Sequence, residues 1–202
     1  MLKTKTVVLL IDFLGHPILE NDYVNNKRYS ELKKFITTVT LRNKKNMIFV
    51  SNMVKSYDIK LTEILKMARA NGFNTLQISG PPFTDINARD EGDYTIEEIS
   101  DEIFKVTGWK VDSNDTQIII GGCNLGGCVI TSKKFSAVYW NKLKFRTTIH
   151  LPLCADYEQH GTDKTEKAYN SFHNLYNCIK NYEAFNLIIS NDINQIVINN
   201  EK

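Results

Sequence analysis

Along the chain, apolar residues gather in short continuous runs rich in Val and Ile, at positions 6–11, 47–50, 74–78, 116–120, 145–150, 186–189 and 195–198. Hydrophobicity that is continuous rather than alternating marks strands covered on both faces, as in a parallel sheet. Between the runs the spacing changes. Residues 26–42 carry Tyr29, Leu32, Phe35, Ile36 and Val39 three or four positions apart, which predicts an amphipathic helix. A second helix is predicted over residues 59–70, stopped by Asn71 and Gly72. A third covers 94–106, with Ile96, Ile99, Ile103 and Phe104 on one face, and two more cover 128–140 and 164–182. Regular alternation of strand and helix predicts a single domain over residues 1–202. Its fold is three-layer α/β/α, around a mostly parallel, doubly wound, Rossmann-like sheet of about six strands. Ligands bind such sheets beyond the carboxyl ends of the strands, where the strand order reverses. Residues that follow strands therefore carry the functional information.

Composition excludes several classes. A chain of 202 residues, 42% hydrophobic and 24% charged, can bury a sizeable core without disulfide staples. The four cysteines, Cys123, Cys128, Cys154 and Cys178, are accordingly read as reduced thiols. A net charge of +2 with scattered Lys and Arg provides no concentrated basic face for a nucleic acid. No run approaches the ~20 apolar residues of a membrane span, and the opening MLKTKTVVLLID reads as a buried strand, not a cleaved leader. The expectation is a cytoplasmic protein acting on a small molecule, with neither nucleic-acid nor membrane partner.

Candidate chemistry concentrates in residues 118–132, IIIGGCNLGGCVITS. If the strand ends at Ile120 and a helix begins near Cys128, the intervening loop delivers that sulfur to the first helical turn. Backbone N–H groups and the helix dipole there favour a thiolate, and the same N–H groups suit an oxyanion. A phosphate-binding loop would continue with Lys and then Ser or Thr, where this chain has Cys-Val. A zinc knuckle would need closer cysteines and a second ligand pair. Spacing alone leaves Cys128 either a nucleophile or an inert small hydrophobe. Asp12, at the end of the first strand, is likewise either a turn carboxylate or a general acid and base for the thiol. An aspartyl phosphotransferase would carry another aspartate two residues on, where Leu14 stands.

Together VVLLID at 7–12, DYTIEEI from Asp93 and IIIGGCNLGGCVITS resemble the isochorismatase-like cysteine hydrolases, a family that includes nicotinamidases, N-carbamoyl amide hydrolases and isochorismatase itself. In that family a glycine ends the central strand and the nucleophilic cysteine follows seven positions later, as Gly121 and Cys128 do here. The resemblance implies a catalytic triad of Cys128, Asp12 and a lysine, a cis peptide at Cys123–Asn124, and an oxyanion hole formed by the N–H groups of Asn124 and Cys128. Counting back from Tyr94 and Thr95, the lysine position holds Arg89, which keeps the positive charge but cannot release a proton. The metal-binding Asp-x-His of nicotinamidases is replaced by SNMVKSYD at 51–58, so no metal and no cofactor are expected. After Asp12, Phe13, Leu14 and Gly15 replace the family's usual Met-Gln-Asn type of segment.

The implied activity is hydrolysis of an amide-type C–N bond through a Cys128 acyl-enzyme. Two alternatives stand beside it: vinyl-ether hydrolysis of an isochorismate-like compound using Asp12, and a catalytically impaired relative that binds a metabolite or a protein. His16, Phe83 and Tyr94 are the candidate substrate-binding residues; Trp109 is a further stacking candidate, and His150, at a strand end near the same edge, is expected to be solvated. The family's habit implies a homo-oligomer, dimer or tetramer.

Overall fold

The computed structural model describes residues 5–11, 13, 22–38, 44–52, 59–78, 94–123, 125–155 and 187–190. Six strands form one sheet: β1 (Lys5–Ile11), β2 (Met47–Ser51), β3 (Asn74–Gln77), β4 (Thr116–Cys123), β5 (Arg146–Ala155) and β6 (Ile188–Ser190). All neighbours pair in parallel, in the order β3-β2-β1-β4-β5-β6. The chain therefore builds outward from β1 to β3, returns to the middle, and builds outward again from β4. The reversal lies between β1 and β4, whose register runs from Lys5↔Thr116 to Ile11↔Gly122.

Helices α1 (Asp22–Thr38) and α2 (Ile59–Ala70) cover one face; α3 (Ile96–Thr107), a π-helix (Leu125–Ser132) and the short α4 (Ala137–Lys142) cover the other. Alternate strand residues separate into the two cores. Val7, Leu9, Ile11, Ile48, Val50, Ile118 and Ile120 face α3, the π-helix and α4. Val8, Leu10, Met47, Phe49 and Ile119 face α1 and α2, meeting Leu32, Phe35, Ile36, Leu61 and Leu65. This explains why the strands read as unbroken apolar runs: neither face meets water. Each such side chain contributes roughly 1.5–3 kcal/mol by leaving it. The ends of α3 follow local rules. Thr95 and Glu98 form a reciprocal capping box, and Gly108, at φ 74°, closes the helix in the left-handed conformation.

The expected three-layer fold and strand sequence are present. Four local expectations are revised. The helix expected over 128–140 is two pieces, the π-helix and α4, because the chain turns at 133–136 to bury Phe135 and Trp140. Strand β5 runs on to Ala155, five residues beyond the expected end, because it stays paired with β4 past an irregularity. The first helix is already formed at Asp22, ahead of the expected residue 26, while residues 39–42 lie outside the described residues. Phe104, assigned to the buried face of α3, is 47% exposed; it falls one position past Ile103, beyond the stripe that reaches the sheet. The predicted helix 164–182 and the run 195–198 lie outside the described residues.

Candidate active site

Both strands at the reversal end in a crowded junction that only glycine fits. Gly122 pairs with Ile11 and has φ 151°, a conformation L side chains rarely adopt, and a Cβ on it would collide with the backbone of Ile11. Gly121 is hemmed in from the opposite neighbour, since a Cβ there would collide with the Leu153 side chain. The second collision arises from a bulge. Between paired positions Ile120↔Ile149 and Gly122↔Cys154, β4 advances two residues while β5 advances five, so β5 folds its surplus against β4. The glycine pair in IIIGGC is thus explained by packing between strands, not by a phosphate.

Past this junction the chain enters the π-helix, in which Cys128 is the fourth residue and not, as the sequence suggested, part of a first α-helical turn. Helices of this pitch are rare, short and frequent at functional sites. Cys128 is half-buried, packed against the core that contains Leu125, Val129 and Ile130, and it is in no disulfide. Its carbonyl accepts a hydrogen bond of 2.7 Å from the Ser136 hydroxyl, whose oxygen in turn accepts the Lys133 N–H at 2.8 Å. Directly behind, the indole N–H of Trp140 donates to the Phe135 carbonyl at 2.9 Å and its ring meets Phe145 edge-on at 5.0 Å. The turn that carries the sulfur is therefore anchored to a fully buried tryptophan.

Of the other expected site residues, Tyr94 is described. It immediately precedes the cap of α3, is half-buried, and packs against the same core as Cys128. Trp109 packs against that core too, but at its other end. It follows the far end of α3 and lies under the Lys5 ammonium, 5.6 Å from its ring centroid, at the start of β1 and hence at the opposite rim. Asp12, His16, Phe83, Arg89 and Asn124 lie outside the described residues, as does the Cys123–Asn124 peptide. His150 is not solvated: it is fully buried at the β5 bulge, stacks edge-on with Phe35 at 6.4 Å, and places Nε2 3.6 Å from Glu31 Oε1.

Sequence reasoning passed over two residues here. Arg28 is 2% exposed, with its guanidinium carbon 4.9 Å from the Phe13 ring centroid. Its position, four before Leu32 and seven before Phe35, is on the apolar stripe of α1 and was the available signal. Ser136 was hidden inside the expected helix 128–140; its place just before the apolar Ala-Val-Tyr-Trp is the usual signal for a helix cap.

Among the described residues no three His, Cys, Asp or Glu side chains gather as a metal site, and no helix is long and apolar enough to cross a membrane. Searches of family models and of curated proteins produce no match. One solved structure, titled "Structure of MAR1 Ribonuclease from Caenorhabditis elegans", is similar over 98% of this chain and 82% of that one, at 10% sequence identity and a TM-score of 0.44. At that score the fold assignment rests on this chain's own strand order: a six-stranded parallel α/β sheet whose reversal point is shared by β1 and by the strand leading to Cys128.

Proposed function

We propose that the chain is a cysteine hydrolase of the isochorismatase-like kind, cleaving an amide-type C–N bond of a small molecule. The observation that carries this reading is the pairing of Ile11 with Gly122 at the sheet's reversal point. The residue after Ile11 is Asp12, and the segment after Gly122 leads within six residues to the half-buried thiol of Cys128. Sequence motif and topology thus single out the same rim, the one where ligands of open α/β sheets bind.

In this reading Asp12 accepts the thiol proton and Cys128 Sγ attacks the carbonyl carbon. The carbonyl oxygen takes up the electron pair and rests on the N–H groups of Asn124 and Cys128. As the C–N bond breaks, the leaving nitrogen receives the proton from Asp12 and departs as ammonia or an amine. Water then gives a proton to the same carboxylate, adds to the thioester and releases the acid and the free thiolate, which recovers its proton. Arg89 supplies a positive charge that favours the Asp12 carboxylate before proton transfer and the Cys128 thiolate after it, and Tyr94, His16 and Phe83 border the substrate.

Iodoacetamide labelling of the full chain, mapped by mass spectrometry, tests the assignment. Cys128 should react faster than glutathione at pH 7, and Cys128→Ser should abolish both that labelling and turnover of any amide the wild type cleaves, whereas Cys123→Ser should preserve them. A Cys128 no more reactive than glutathione overturns the proposal. Turnover that survives Cys128→Ala but is lost in Asp12→Asn would replace it with vinyl-ether chemistry.

A further inference from the structure

We infer that Ser136 is a positioning residue for Cys128, holding open the π-turn that presents the sulfur; the inference rests on Cys128 being the nucleophile. Ser136 occupies the N-cap of α4 with extended backbone angles, φ −67° and ψ 167°, yet its side chain makes no capping bond. A serine there normally accepts an N–H from the first turn of its helix, worth about 1 kcal/mol. Here the fully buried hydroxyl is turned the other way, donating to the Cys128 carbonyl and accepting from the Lys133 N–H. Those two backbone groups are five residues apart, the separation a π-helix pairs and an α-helix does not.

The backbone also fixes where the hydroxyl stands. Ser136 N–H donates to the Lys133 carbonyl at 3.0 Å, and the Ser136 carbonyl accepts from Tyr139 at 3.0 Å, so the residue is tied on both sides. The hydroxyl adds a bridge across the wide π spacing of the 125–132 segment, and its removal weakens that spacing relative to the tighter α one. A change to α spacing rotates Cys128 relative to the end of β4, and with it the direction of its Sγ and of its own N–H. Positioning of this kind acts on thiolate stability and oxyanion binding, not on the substrate directly.

The test is the pH profile of iodoacetamide alkylation at Cys128, in the full chain. Ser136→Ala should slow alkylation at pH 7 by about three- to tenfold, the range spanned by the net worth of one hydrogen bond, and should move the profile to higher pH. Ser136→Thr, which keeps the hydroxyl, should recover the wild-type profile. Val138→Ala, a truncation in the buried face of α4, should lower Tm and leave the profile in place. Unchanged alkylation in Ser136→Ala overturns the inference while leaving the nucleophile intact, and so does equal slowing in Val138→Ala. A wild-type Cys128 as slow as glutathione instead removes the nucleophile itself. Should Ser136→Ala fail to fold, Ser136→Gly, a well-tolerated helix cap that also lacks the hydroxyl, takes its place: slowed alkylation supports the clamp, and an unchanged profile overturns it.

Discussion

Gly122 lies so close against Ile11 that the strand leading to the candidate nucleophile and the strand leading to the candidate base touch backbone to backbone at their carboxyl ends. Two independent constraints meet at this glycine, its positive φ and the absence of room for any Cβ. Gly72 has only the first, with φ 87° and open space around it. Gly122→Ala should therefore cost about 3 kcal/mol or more, combining backbone strain with overpacking, whereas Gly72→Ala should cost only about 1–2 kcal/mol. Urea denaturation of the two variants checks the contrast, and equal losses would contradict it.

Trp140 anchors the turn behind Cys128. Replacing it with Phe removes the donor to the Phe135 carbonyl and opens space beside Phe145. The expected loss is about 2–4 kcal/mol, read as a drop in Tm of roughly 4–16 °C by circular dichroism at constant pH. Trp109 is half-buried at the other rim, so the same variant should also shift the remaining fluorescence to longer wavelength.

The capping box of α3 supplies a smaller, cleaner test. Thr95 accepts the Glu98 N–H at 3.2 Å while Glu98 accepts the Thr95 N–H at 2.7 Å. Thr95→Ala should cost about 1 kcal/mol, and Thr95→Ser should restore most of it. Because Tyr94 adjoins this cap, turnover of a cleavable substrate should show a changed KM with kcat largely preserved if Tyr94 borders the substrate.

Most of the architecture could be read from the chain because each strand is buried on both faces, which leaves an unmistakable apolar run between helical stretches. The reading failed where backbone geometry departs from a regular period. Residues 125–142 have the apolar content of one helix, and nothing in that content announces a π-turn, a break at Ser136 and a second helix. The β5 bulge is equally silent, since its cause is a mismatch in length with β4 and not a residue type. Phe104 failed for a simpler reason: one position of angular drift on α3 separates the buried stripe from solvent. His150 was misjudged because a histidine at a strand end usually reaches water, whereas here the bulge folds it beneath Phe35 and Glu31. At the rim itself, the motif singled out Cys128 as a candidate, whereas Ser136 has no such motif, because the direction of its hydroxyl is set only by the fold around it.

The wedging of Gly121 and Gly122 between Leu153 and Ile11 has a consequence for how this protein can diversify. Three adjoining strands are fused there into an unyielding floor that tolerates no added atom. Variation at this rim must accordingly come through exchange of the segments that leave it, with the floor inherited unaltered.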